Sequence, residues 1–284
     1  CSLITHSMQQ DLGSKYFQKS KSHHYLLSKD WLPTDQNMIW VSINTISKLI
    51  QTDNFFNADL RSLLSVFDWT LFFSKKNQIN ISTQGIDIKL SYTPNQFKII
   101  DLNHLKNWRL DDEGITPLNS EKTGIKFFNF NCTNREVTFW SQPLFTIKES
   151  GTVNLYFFEN EEELRFLVSA FHEPGTSTSF AYYPSLNMQT DKIESTISIP
   201  KKVKSIRSMT QCDEGGRFFQ NEVHYHLIEV YSEQDIDKKE NQSWISVEQL
   251  VGILKASNSC SFELRCISSL ALDKIHPNIF SEVI

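Results

Sequence analysis

The chain has 284 residues, 39% hydrophobic and 21% charged, an ordinary balance for a globular protein with room for one large or two modest domains. A net charge of −5 and a pI near 5.9 exclude a broad basic field for nucleic acid. An anionic ligand must then be held by a few placed Arg or Lys side chains and backbone N–H groups.

Residues 1–70 begin with Cys1 and read as the interior of a domain, as expected for a piece of a longer chain. Ser7-Met-Gln-Gln-Asp-Leu-Gly-Ser-Lys-Tyr-Phe-Gln18 returns, with one insertion, as Ser208-Met-Thr-Gln-Cys-Asp-Glu-Gly-Gly-Arg-Phe-Phe-Gln220. The match resumes at Trp40-Val-Ser-Ile against Trp244-Ile-Ser-Val, and at Asn57-Ala-Asp-Leu-Arg61 against Ser261-Phe-Glu-Leu-Arg265. A spacing of about 200 residues is far above a solenoid period, so the reading is a tandem duplication of whole domains. Residues 1–70 are then the tail of a first repeat, 71–105 a connector, and 106–284 a complete second repeat.

Each tail predicts two helices. Ile43, Ile46, Leu49 and Ile50, and later Val247, Leu250, Ile253 and Leu254, recur at helical spacing. Ser246 with Gln249 has the form of a capping box. The second helix of each pair opens at Asn57 or Ser261, with Asp59 or Glu263 opposing the dipole in its first turn. Leu60, Leu63, Leu64 and Phe67 form its apolar stripe. The connector is polar, with short strand signals at Ile79–Ile81 and Ile86–Leu90. Strand signals then dominate at Lys126–Phe130, Glu136–Trp140, Val153–Phe158 and Leu164–Phe171. The prediction is an α+β fold with the sheet first and a helix pair at the end.

Cysteine usage fits a reduced cytoplasm. The five cysteines are an odd number with no Cys-x-x-Cys pair, which supports neither a disulfide framework nor a zinc ribbon. No run of about 18 apolar residues and no signal-peptide core occur, so no membrane partner is expected.

Several residues carry chemistry or plain structure. Glu214, Gly215, Gly216 and Arg217 either bring backbone N–H groups and a guanidinium to a diphosphate or form a tight turn with a surface ion pair. Trp140 and Gln142 either stack on and hydrogen-bond a base or sugar, or belong to the core. Glu173, in Glu173-Pro-Gly175, is a base or hydroxyl-binding carboxylate at a strand end, or a turn acid. Tyr183, beside Tyr182, offers a phenol as acid or base. His224 and His226 alternate onto one strand face, but the first copy does not repeat the pair, so no metal is expected. Trp244 and Arg265 read as packing and helix-anchoring residues.

Ordered patches then carry a family resemblance. Trp108-Arg-Leu-Asp-Asp-Glu-Gly114, Arg135-Glu-Val-Thr-Phe-Trp140-Ser-Gln142-Pro-Leu144, Phe166-Leu-Val-Ser-Ala-Phe-His-Glu173-Pro-Gly175, Pro184-Ser-Leu-Asn187, Gln211 to Phe219, and Trp244 to Arg265 together resemble the NDP-4-keto-6-deoxyhexose 2,3-dehydratases. The resemblance implies two tandem Nudix-like repeats, here with an incomplete first copy, and a homodimer. It implies a hydro-lyase without nicotinamide or metal cofactor, acting on a nucleotide-linked sugar such as dTDP-4-keto-6-deoxyglucose. The C4 ketone acidifies the C3 hydrogen, a base removes it, and the C2 hydroxyl leaves. Glu173 and Tyr183 would then be catalytic, and Trp140, Gln142, Gly175, Asn187 and Glu214 to Arg217 would bind substrate. Asn187 stands where that family usually has Gln, and Met188-Gln-Thr-Asp-Lys-Ile replaces a motif of its first repeats. These departures suit a second repeat and keep open a catalytically inactive nucleotide-sugar-binding or dimerisation module. A Nudix hydrolase is a poor third reading, because Glu159–Glu163 lies between strand signals and lacks the Arg-Glu pair of a metal helix.

Overall fold

The computed structural model describes residues 2–11, 17–30, 38–69, 85–88, 98–118, 123–133, 135–147, 149–172, 180–188, 200 and 202–280. The N-terminal segment is a hairpin, β1 (Ser2–Gln10) and β2 (Ser20–Leu27), followed by helices α1 (Ile43–Leu49) and α2 (Ala58–Val66). Short strands β3 (Trp108–Asp111) and β4 (Gly114–Pro117) lead into β5 (Thr123–Asn131) and β6 (Phe139–Ile147). The long strands β7 (Gly151–Glu159) and β8 (Leu164–Phe171) come next, then the short β9 (Ala181–Tyr183) and β10 (Leu186–Asn187). A second hairpin, β11 (Ser205–Cys212) and β13 (Glu222–Val230), carries the two-residue β12 (Phe218–Phe219) in its connection. The chain closes with β14 (Gln242–Ser246), α3 (Val247–Lys255), α4 (Phe262–Ser268), α5 (Leu272–Ile275) and α6 (Pro277–Phe280). The fold is mixed α+β.

Among the described residues the strands assemble into three sheets. A seven-stranded sheet runs β11-β13-β7-β8-β14, with β10 on β7 and β9 on β8. Its β13–β7 pair is parallel and its other pairings are antiparallel. A five-stranded sheet runs β12-β6-β5-β4-β3, and the hairpin β1-β2 forms the third. Gly114 has φ 147°, and a Cβ there would lie 2.1 Å from the carbonyl oxygen of Ile125, so the close approach of β4 to β5 requires glycine.

Period-two alternation sends Val153, Leu155 and Phe157, Phe166 and Val168, and Val223, Tyr225 and Leu227 to one face of the large sheet. There they meet Leu250, Ile253 and Leu254 of α3 and Leu264 and Ile267 of α4. The opposite face holds a smaller cluster of Tyr156, Leu167, Ile228, Val230, Ile236 and Trp244. A third cluster joins Ile50, Phe56, Leu64, Phe67 and Trp69 to Leu272 and Phe280, so the N-terminal helices share a core with the C-terminal ones.

Helix boundaries follow their caps. Ser42, Asn57, Ser246 and Ser261 each accept a backbone N–H three residues on, and Ser246 with Gln249 forms the expected capping box. Two expectations shift. The strand expected over Glu136–Trp140 begins at Phe139 and runs to Ile147, because residues 135–137 make the bend that returns from β5. In α2, Leu60 and Leu63 stay partly exposed while Ala58, Arg61, Ser62 and Ser65 are buried. Those small residues let α4 approach closely, and Arg61 is buried because its guanidinium is satisfied. The strand expected over Ile79–Ile81 lies outside the described residues, and Ile86–Ile88 forms no strand.

Candidate functional site

The connection between β11 and β13 is where two sheets meet. Backbone N–H groups of Arg217 and Phe218 both donate to the Glu214 carbonyl, at 2.9 and 3.0 Å, closing a tight turn. Immediately after it, β12 pairs in parallel with β6, Phe218 opposite Phe145. The turn is thereby pinned to the five-stranded sheet while its stems belong to the seven-stranded one. Gly215 and Gly216 have no atom within 4 Å of where a Cβ would stand, and neither adopts positive φ. Sterics within the protein do not demand glycine here; the two residues leave backbone open to approach.

Trp140 and Gln142 project from the same face of β6 toward this turn. The Trp140 indole N–H donates to Gln142 Oε1 at 2.7 Å, and Gln142 Nε2 donates to the Gly216 carbonyl at 2.7 Å. Trp140 stacks on Phe130 with centroids 5.2 Å apart, and the Arg135 guanidinium lies 5.9 Å from the Trp140 ring centroid. Phe128 stacks on Phe219, just past the turn, at 4.4 Å. An aromatic shelf therefore borders an open glycine turn.

The turn also closes a charge cluster with the N-terminal segment. Arg217 donates to Asp11, which is 2% exposed, and its Nε lies 3.2 Å from Glu214. Lys21 Nζ is 2.8 Å from Asp59, bonds Glu214 as well, and lies 3.7 Å from Asp11. A buried carboxylate such as Asp11 requires this cationic company. Burial opposes charge on Lys21, but its hydrogen bonds to Asp59 and Glu214 outweigh it and raise its pKa. Burial and the hydrogen bond to Asp59 push the Glu214 carboxyl above the usual range, against the pull of Lys21. Burial works the same way on Asp59, yet hydrogen bonds from Glu214 and Lys21 and the field of Arg217 hold it below its ordinary value.

Two buried arginines brace this arrangement reciprocally. Arg61 of α2 donates to Gln211 of β11 at 2.8 Å and to the Ile50 and Thr52 carbonyls. Arg265 of α4 donates to the Gln10 carbonyl of β1 at 2.7 Å, to Gln9, to Ser62 and to the Cys260 carbonyl. Each guanidinium thus holds the strand end that runs into the cluster, Gln211 ahead of Glu214 and Gln10 ahead of Asp11. Arg265 does anchor its helix, and its reach extends to the other segment.

Of the residues singled out from sequence, Trp140, Gln142, Glu214, Gly215, Gly216 and Arg217 come together. Tyr183 is 6% exposed and packs edge-on against Phe171, with centroids 5.4 Å apart. Asn187 sits half-buried on β10 opposite Val153, in the sheet row that continues through Tyr225 to Met209. Glu173 and Gly175 lie outside the described residues. The strand registers put the end of β8, the start of β7 and the β11–β13 connection at the same end of the large sheet. His224 and His226 share hydrogen bonds with Thr210 and Ser208. Asp11, Lys21 and Asp59 were missed, because they come from different elements and share no spacing.

A family model described as NDP-hexose 2,3-dehydratase matches residues 2–67 and 90–271. The chain belongs to that family. It is 20% identical over 297 residues to a dTDP-4-dehydro-6-deoxy-α-D-glucopyranose 2,3-dehydratase of Saccharopolyspora spinosa, covering 92% of this chain and 60% of that protein. Similarly named proteins of Streptomyces violaceoruber and Amycolatopsis orientalis are 21% and 22% identical, covering 92% and 95% of this chain and 63% and 60% of their own lengths. The chain thus spans about three fifths of the curated relatives it matches. Among solved structures, a C. elegans Ap4A hydrolase aligns over 37% of this chain and 85% of its own, at 12% identity and a TM-score of 0.26. Among the described residues no helix is long and apolar enough to cross a membrane.

Proposed function

We propose that this protein is a hydro-lyase that removes water across C2 and C3 of a nucleotide-linked 4-keto-6-deoxyhexose in deoxysugar biosynthesis. The observation that carries this is the family match running through both segments, which the structure joins at the 214–217 turn. Dehydration next to a ketone needs a positioned base to move a proton, donors for the enolate oxygen, and a surface for the nucleotide. Glu173 is the base or the carboxylate that holds a substrate hydroxyl, and Tyr183 is the candidate phenol. Trp140 and Gln142 supply the stacking and hydrogen-bonding surface. Gly175, Asn187 and the Glu214-Gly215-Gly216-Arg217 turn complete the binding set. The substrate is dTDP-4-keto-6-deoxyglucose, in keeping with the names of the relatives.

The remaining architecture follows the same reading: a cytoplasmic homodimer built from tandem Nudix-like repeats, with 1–70 the tail of the first, 71–105 a connector and 106–284 the second. Matched positive-φ residues, Gln18 and Gln220 and then Asn54 and Asn258, support the duplication, as do the matched caps. So do reciprocal backbone bonds, Asn54 N–H to the Thr210 carbonyl and Asn258 N–H to the Met8 carbonyl. The test is incubation with dTDP-4-keto-6-deoxyglucose and a 3-ketoreductase that traps the unstable diketo product. Trapped product, abolished in Glu173→Gln, is expected; saturable binding without turnover would leave a non-catalytic module instead.

A further inference from the structure

We propose that Glu214 is the carboxylate that carries the proton in this reaction, and that Asp59 and Lys21, contributed by the N-terminal segment, are positioning residues for it. The proposal rests on the dehydratase reading for its substrate and leaves Glu173 the hydroxyl-holding role. Three observations carry it. Glu214 is reachable, with 22% of its side chain exposed on the rim of the open Gly215-Gly216 turn, whereas Tyr183 is packed against Phe171. It stands two residues before Gly216, whose carbonyl accepts from Gln142 of the Trp140–Gln142 shelf, so one short turn carries both the carboxylate and the contact to the shelf. And it shares the Lys21 ammonium of β2 with a second carboxylate, Asp59 of α2, a geometry that a surface ion pair does not need.

The step balances with this one group. The Glu214 carboxylate takes the C3 proton as the C3–H electron pair moves toward the C4 carbonyl, forming an enolate. The enolate re-forms the ketone, its electrons make the C2–C3 double bond, and the C2–O bond breaks. The departing hydroxyl takes the proton back from Glu214 and leaves as water. No oxidant or reductant enters. A carboxyl lifted above its ordinary range is the stronger base for the first step. The charged groups facing Glu214 are Lys21 of β2, Asp59 of α2, Asp11 after β1, and Arg217 on its own turn. His23 is buried nearby, its pKa lowered to about 4 by burial and Arg265, so it stays neutral near pH 7.

Wild type, Glu214→Gln, Glu214→Asp and Asp59→Asn are compared in deuterated buffer with dTDP-4-keto-6-deoxyglucose, following C3 exchange and water loss, with dTDP binding as the separate check on the fold. Glu214→Gln should lose about a hundredfold in both exchange and elimination while still binding dTDP, and Glu214→Asp should recover part of the rate. Asp59→Asn removes a neighbouring negative charge, so the acidic limb of the kcat/KM profile should move to lower pH, a displacement that a purely structural role would not produce. A wild type that turns over while Glu214→Gln stays within about threefold of it overturns this proposal and leaves the dehydratase reading standing, as does an unmoved acidic limb in Asp59→Asn. A wild type that binds dTDP without exchange or elimination overturns both.

Discussion

The N-terminal hairpin with its two helices and the C-terminal hairpin with α3 and α4 share caps, turns and sequence, yet they differ sharply in burial. Trp40 and Val41 are 50% and 40% exposed, while Trp244 and Ile245 at the matching positions are 6% and 0%. Helix α1 buries no residue outright, whereas α3 buries Leu250, Val251, Gly252, Ile253 and Leu254. The reason lies in the neighbours. Strand β13 is flanked by β7 and β14 by β8, whereas β2 pairs with β1 and, among the described residues, with no other strand. Local signals set where a helix starts and where a turn goes left-handed; only a partner sheet turns an apolar stripe into a core.

The largest expected effect breaks the joint between the two regions. Arg61→Ala leaves Gln211 and the Ile50 and Thr52 carbonyls without their donor in a buried interface. The expected loss is about 4 kcal/mol of unfolding free energy, from several unsatisfied acceptors at about 1–3 kcal/mol each, read by urea denaturation. A loss confined to the N-terminal helices, with the seven-stranded sheet unaffected, would show that the regions are separable.

A smaller effect sharpens the asymmetry itself. Trp244→Ala should cost about 3 kcal/mol, whereas Trp40→Ala at the matched position should cost well under about 1 kcal/mol. Equal costs in denaturant titrations would mean that Trp40 is as well covered as its counterpart.

The most gradual effect, and the smallest over a fraction of a pH unit, is set by pH. His276 is buried and lowered to about 4 by burial and Lys255, and His23 is lowered to about 4 by burial and Arg265. Both are therefore neutral in the fold and must accept a proton when it opens. Their contribution is fully present above pH 6.5 and is lost as pH falls toward 4, by at most about 1.4 kcal/mol per histidine per pH unit. Melting temperature against pH should fall over that window, less steeply in His276→Gln.

The fold was legible wherever the signal was local or periodic. The Ser246–Gln249 capping box, the N-caps at Asn57 and Ser261, and the strands over Val153–Phe158 and Leu164–Phe171 were all readable from spacing. What was hidden was long-range. No pattern foretold that β13 would pair in parallel with β7, since that register depends on a crossover through β8 to β11. The Leu60–Leu63 stripe misled because small and charged residues at 58, 61, 62 and 65 face another helix. The site divides in the same way. Gly215, Gly216 and Arg217 stood out as a motif, and Trp140 with Gln142 proved to be their neighbours. Asp59 read as a helix-dipole acid and Lys21 stood in no motif, and only the packing of the two regions brings them to Glu214.

The most direct test follows the C3 proton of dTDP-4-keto-6-deoxyglucose by proton NMR during incubation with this protein, a trapping 3-ketoreductase and its hydride donor, with mass spectrometry for loss of one water and gain of two hydrogens. The account predicts disappearance of the C3 signal together with appearance of the dehydrated, trapped product. An unchanged sugar, with thymidine signals that nonetheless show binding, would contradict it.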